Sequence, residues 1–300
     1  MFAWLAAGFT LGLLARWRVA LPDGAPELIN RYIIFIALPA MILLRVPSLQ
    51  VDSAALIPVG LAWLAIGSSA LIIAMLARRR AWPRDVTGAL MMVIPLSNTA
   101  YVGIPVIDAL TNGAATQYAI LYDQLGSFLA LTLYGGLVIA VYGSAGAARP
   151  VEVIRRIVLF PPFIALVVAL VLPGHVMPEN LSRVLDLPAA TMGPAAMFIV
   201  GQQLDLKVPQ ALRRPLAAGL TVKLLVAPGL VVLASSFVMA RGPSTTAAVL
   251  QAAMPPMITA ALMGMAAGFS RPLIIAAVGI GSIASLLTVP LLVWLSGVMA

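Results

Sequence analysis

The chain has 300 residues, 62% of them hydrophobic and 9% charged, with a formal net charge of +8 and a mean hydropathy of +1.07. A soluble domain carries about half apolar and a quarter charged side chains, so no sizeable soluble domain fits; the apolar runs are continuous rather than alternating, which excludes an outer-membrane barrel. The absence of cysteine removes disulfide and thiolate chemistry, and a single histidine, His175, removes paired-histidine metal sites and histidine triads.

A bilayer span takes about 20 apolar residues, and ten spans are predicted, at 2–16, 28–46, 54–77, 86–110, 115–142, 152–172, 188–204, 215–239, 245–268 and 272–298. The first has no positive charge before its apolar run, and Arg16 and Arg18 follow it, so it reads as a span rather than a signal peptide. Fourteen of the 18 basic side chains fall between an odd span and the next even one, among them Arg31, Arg78, Arg79, Arg80, Arg84, Arg149, Lys207 and Arg271. Three, Arg45, Arg183 and Arg241, fall on the opposite side, and Lys223 lies inside the eighth span. This asymmetry places the basic loops in the cytoplasm and both termini outside, in a bacterial inner membrane. It describes topology, not a phosphate-binding face, so no nucleic-acid partner is expected.

The second span carries Leu38-Pro39-Ala40-Met41, echoed in the seventh by Gly193-Pro194-Ala195-Ala196-Met197. The fourth reads Ile94-Pro95-Leu96-Ser97-Asn98-Thr99-Ala100-Tyr101-Val102-Gly103-Ile104-Pro105, two prolines around a Ser-Asn-Thr cluster. Each proline deletes a backbone donor and clashes with the preceding turn, so this span is broken. The ninth is broken likewise at Gln251-Ala252-Ala253-Met254-Pro255-Pro256-Met257-Ile258-Thr259. Pro39 with Pro194, Asn98 with Pro255, and Thr132 with Thr288 stand 155, 157 and 156 residues apart. One shared offset and five spans per half predict two inverted repeats, 1–147 and 148–300.

Paired interrupted spans are the best sequence pointer to a transporter's binding site. Freed backbone groups at membrane depth must be buried in protein or line a wet cavity. The half-helices starting after Asn98 and after Pro256 are expected to aim N–H groups and partial positive charge at the midplane, where a small carboxylate can sit. Ser97, Asn98, Thr99, Tyr101, Pro255, Pro256 and Thr259 are the candidate substrate-binding residues. Kinks without function are the plainer alternative.

Other polar residues within spans are ion-coupling candidates: Asp123, Gln124, Ser127 and Lys223. Asp123 can carry a proton, coordinate Na⁺ with Gln124 and Ser127, or sit hydrated near the interface. Lys223 can neutralise an anionic substrate, pair with Asp123, or snorkel to the cytoplasmic surface. Asp108 is expected as an outer rim charge, and Gln202, Gln203 and Asp205 as the polar end of the seventh span. The small residues Gly279, Gly281, Ser282 and Ser285 of the tenth predict close helix contact. No metal site and no cofactor is expected beyond a coupling H⁺ or Na⁺.

The stretch Pro95 to Pro105 resembles the Asn-Thr-aromatic-x-Gly-x-Pro signature of the auxin efflux carrier family, which includes plant auxin exporters and bacterial carriers of the malate or malonate type. Leu38-Pro39-Ala40, Leu121-Tyr122-Asp123 and Met254-Pro255-Pro256 agree with it, in order along nearly the whole chain. The resemblance implies an all-α membrane protein of ten transmembrane helices, with crossed broken helices 4 and 9. It also implies a scaffold of helices 1, 2, 6 and 7, transport helices 3–5 and 8–10, and alternating access. The fold is similar to that of bile-acid/sodium symporters. The ninth span lacks the acidic residue those symporters use for sodium, and Ser127 stands where many relatives have Asn.

The reading that follows is a secondary transporter of a small organic anion, a mono- or dicarboxylate, embedded in lipid, homodimerisation being common among such carriers. A sodium-coupled carrier of another organic anion is the alternative. An intramembrane enzyme fits less well, because no Ser–His pair, His-Glu-x-x-His site or Gly-x-Gly-Asp element occurs in a span, and a channel fits less well because it does not need matched broken helices.

Overall fold

Proline positions explain where this all-helical chain bends and breaks. The structure, a computed structural model, describes residues 2–18, 22, 24–47, 53–143, 150–171, 179–202, 208–237 and 242–297. His175, Arg149, Gln203, Asp205, Lys207 and Arg241 lie outside the described residues. Helix α1 covers Phe2–Arg18, α2 Ala25–Arg45, α3 Ser53–Arg80, α4 Arg84–Val93, α5 Thr99–Thr111 and α6 Thr116–Tyr142. There follow α7 Pro150–Val158, α8 Pro161–Val171, α9 Glu179–Gln202, α10 Gln210–Phe237, α11 Pro243–Ala252, α12 Ile258–Ala266 and α13 Arg271–Ser296. Six of these, α2, α3, α6, α9, α10 and α13, are long and apolar enough to cross a membrane; α1, α5 and α8 are shorter apolar helices.

Two boundaries differ from expectation. The sixth expected span is interrupted: α7, which carries Glu152 and Arg155, stops at Val158, and α8 starts at Pro161. Pro161 and Pro162 are two consecutive residues without an N–H to donate to the preceding turn, which favours a break there. The seventh starts earlier, at Glu179, and absorbs Pro188 and Pro194 inside one helix.

Four segments widen into π-type turns, Ile33–Ala37, Thr99–Gly103, Tyr122–Phe128 and Val222–Val226. Three of them end two residues before a proline, at Pro39, Pro105 and Pro228. The amides of Leu38, Ile104 and Ala227 reach back five residues, to Ile33, Thr99 and Val222. The missing proline N–H explains this local re-registration, and such π bulges concentrate at functional sites.

The helices pack in two sets. Helix α9 lies along α1 and against α2, and α8 packs on α2. The other set joins α3 to α6, α10 and α11, and α4 to α6, α12 and α13. Helix α5 bridges them, touching α9 and α1. Association in lipid is driven by close packing rather than by a hydrophobic effect, and the α1–α9 seam is correspondingly tight. A Cβ on Gly12 would fall onto the Phe198 carbonyl, 2.8 Å from its carbon. Outward positions are apolar and large, including Trp4, Leu71, Leu137, Leu287 and Trp294, as a chain solvated by lipid requires. By contrast α4 from Val86 and α11 from Ser244 are buried to their ends. The two interrupted spans therefore run through the middle of the protein.

Candidate functional site

The two breaks meet. Ser97 and Pro256 form an isolated antiparallel bridge. The Asn98 amide donates to the Pro255 carbonyl at 2.7 Å, and the Met257 amide donates to the Leu96 carbonyl at 3.0 Å. Residues 94–99 and 251–258 are buried throughout. Each break thus satisfies backbone groups that the other would leave unpaired in a medium without water. The amides of Asn98 and Met257, the residues just before α5 and α12, are thus used across the crossing and are not free to meet a ligand.

What remains open there is a side chain. Asn98 is 1% exposed, and neither its Nδ2 nor its Oδ1 has a hydrogen-bond partner in the protein. A buried amide without partners costs on the order of 1–3 kcal/mol, so this side chain is a candidate to meet a ligand.

Around it lie two charged groups of opposite sign. Thr99 Oγ1 donates to Asp123 Oδ1, and Gln124 Nε2 donates to Asp123 Oδ2 at 2.6 Å. Asp123, Gln124 and Ser127 all lie on the π-type turn of α6 and are all buried. Gln124 Oε1 and Ser127 Oγ have no partner in the protein. Asp123 is therefore not at a hydrated interface; it abuts the start of α5, the positive end of that half-helix.

Lys223 sits on the π-type turn of α10 and is 1% exposed. Its Nζ donates to Ser97 Oγ and, at 3.3 Å, to the Ala252 carbonyl. The lysine neither snorkels nor pairs with Asp123; it reaches the crossing at the last residue of α11.

The remaining candidates divide. Pro255 and Pro256 form the crossing itself, and the Pro256 ring packs against Gly281, where a Cβ would come within 2.6 Å of its Cδ. The small-residue run of the tenth span thus makes its expected close contact. Tyr101 is turned away from the break, its hydroxyl donating to Asn30 Oδ1 on α2. Thr259 is half-buried on the first turn of α12. Asp108 is not a rim charge: it is buried, accepts from Thr116 Oγ1 at 2.6 Å and lies 3.1 Å from Arg45 Nη2. Helix α5 packs on its neighbours and carries Asp108 inward, where only a paired carboxylate is tolerable.

Gln251 was not singled out in the sequence, yet it ties the site together. It is fully buried at the end of α11, and its Nε2 donates to the carbonyls of Ala119 at 3.0 Å and Thr99 at 3.5 Å. A polar amide beside a double proline in an apolar span carried the same signal as Asn98. Asn30, the Tyr101 acceptor, had no such signal, lying in a polar segment beside Arg31.

Comparison with known proteins places this chain in a family. A model of the family described as "Membrane transport protein" matches residues 5–293. The chain is 26% identical over 289 residues to an "Uncharacterized transporter" of Methanothermobacter thermautotrophicus, covering 94% of this chain and 92% of that protein.

Proposed function

This chain belongs to the membrane transport protein family, that of the auxin efflux carriers, and from that membership we propose that it is a secondary transporter of a small organic anion bound at the crossing of the two broken spans. The observation that carries the reading is the Asn98 side chain, buried at the crossing with its amide unpaired. Its Nδ2 is a donor for one carboxylate oxygen, and the start of α5 adds the partial positive charge of a helix end. The substrate class is a mono- or dicarboxylate, and Ser97, Thr99 and the Pro255–Pro256 segment shape its place.

The architecture proposed with it is ten spans in two inverted repeats, 1–147 and 148–300. One break lies in each half, and the two meet at Ser97 and Pro256, 159 residues apart, close to the 155 to 157 that separate the landmarks shared by the two halves. The packing of α1, α2, α8 and α9 on one another supports a scaffold against which the remaining helices move. Fourteen basic residues against three support cytoplasmic odd-to-even loops and outer termini.

The test is uptake of labelled malonate, malate and indole-3-acetate by proteoliposomes, for wild type and Asn98→Ala. Uptake of at least one anion, lost in Asn98→Ala while the unfolding midpoint is kept, is the expected result. Undiminished uptake by Asn98→Ala refutes the site.

A further inference from the structure

Lys223 is a buried lysine whose Nζ meets no carboxylate. Among the described residues the ion pairs are Arg45 with Asp108 and Arg183 with Glu179, and neither involves Lys223. Its two acceptors, Ser97 Oγ and the Ala252 carbonyl, are neutral. Removing an ammonium from water is costly even after the protein relaxes, and a helix C-terminus returns only part of that cost. Protonated at the end of α11, Lys223 is thus under-compensated, and it is fixed on the residue that forms the bridge with Pro256. An anion arriving beside it supplies the attraction that its neutral acceptors do not.

From this we infer that Lys223 is the carrier's own cation at the crossing, supplying the positive charge that compensates the substrate anion, so that anion transport needs no bound inorganic cation. The inference rests on the proposed anion site and adds the source of its charge. Two features fit it. The ammonium is held from both sides of the crossing, by Ser97 of the first break and Ala252 of the second, so it travels with the site rather than with solvent. Asp123, the only other charged side chain placed at the breaks among the described residues, already accepts from Thr99 and Gln124. It faces the opposite helix end, the start of α5, so each half-helix end is met by a charge of opposite sign.

The experiment uses full-length protein and the same three labelled anions. Uptake is measured in sodium, potassium and N-methyl-D-glucamine buffers, and anion-induced thermal stabilisation is measured for wild type, Lys223→Met and Lys223→Gln. Coupled ligands change each other's affinity by roughly 5–150-fold; the expected wild-type result is uptake equal within about twofold across the three cations. Both variants should lose at least about tenfold in anion affinity, as truncation of one partner of a buried charge pair does. Their anion-free unfolding midpoints should be unchanged or higher, because an uncompensated buried charge is gone. A purely structural lysine would instead lower the anion-free midpoint and leave the anion response intact. Wild-type uptake that collapses without sodium overturns the inference and leaves the anion site standing. So does a full anion response in Lys223→Gln, which keeps a hydrogen-bonding side chain without the charge. Wild type that carries none of the anions refutes the site and the inference together.

Discussion

The side-chain amide of Gln251 lies against Gly103, in the space that a Cβ on residue 103 would have to fill. The contact joins the end of α11 to the π-type turn that opens α5, and the same amide holds the Thr99 and Ala119 carbonyls. Glycine at 103 is therefore a packing requirement of the crossing.

Gly103→Ala should push Gln251 off both carbonyls, lowering stability by about 1–3 kcal/mol, as overpacking of a tight core does, and reducing anion uptake. Gly136→Ala is the control: a Cβ there meets nothing within 4 Å, so its effect should stay within about 0.5 kcal/mol. Thermal unfolding in detergent distinguishes them; equal midpoints would show that Gln251 is not held where the structure has it.

Thr99 and Asp123 act as one unit, with the hydroxyl donating to the carboxylate in a fully buried place. Thr99→Val and Asp123→Asn should each reduce uptake, and the double variant should be little worse than the more damaging single one. The expected coupling is about 1–2 kcal/mol. Strict additivity in a double-mutant cycle would contradict the pairing.

Arg45 and Asp108 link α2 to α5 at 3.1 Å, with the arginine side chain 45% exposed and the carboxylate 5%. Because one partner is hydrated, the pair should couple by only about 1 kcal/mol, less in high salt. Asp108→Asn keeps an acceptor for Thr116 and should be the milder change. Arg45→Gln leaves a buried carboxylate short of its counter-charge and should lower the unfolding midpoint more. The reverse order would show that the ion pair contributes little.

Gly12 lies in the α1–α9 seam, where a Cβ would meet the Phe198 backbone and come within 3.0 Å of the Gln202 nitrogen. Backbone cannot yield as a side-chain end can, so Gly12→Val should separate the two helices and cost about 3 kcal/mol. Gly60→Ala, with open space around residue 60, should be tolerated. A Gly12→Val protein as heat-resistant as wild type would rule out the close seam.

Much of the candidate site is legible in the residues alone, and the rest is hidden for separate physical reasons. Asn98, Pro255 and Pro256 announced themselves because proline and amide groups in an apolar span conflict with an unbroken helix. Gln251 carries the same conflict, but the double proline beside it already accounts for a break there. Asn30 and the inward turn of Tyr101 could not be anticipated, since the bond joins residues 71 apart in sequence. Asp108 is buried rather than on the rim, because distance along a helix measures depth in the bilayer but not burial within the protein.

The sequence by itself determined that this chain lives in lipid and that two of its helical segments break, around Asn98 and around Pro255. Those properties follow from covalent facts, continuous apolar runs and missing proline donors, which act locally. Only the tertiary structure decided which polar groups satisfy one another and which are left over. The Asn98 amide is used on Pro255 while its side chain is not used at all, and Lys223 ends at Ser97 rather than at Asp123 or the membrane surface. Such pairings join residues more than a hundred positions apart, and without water in the membrane each unpaired group they leave is costly enough to matter.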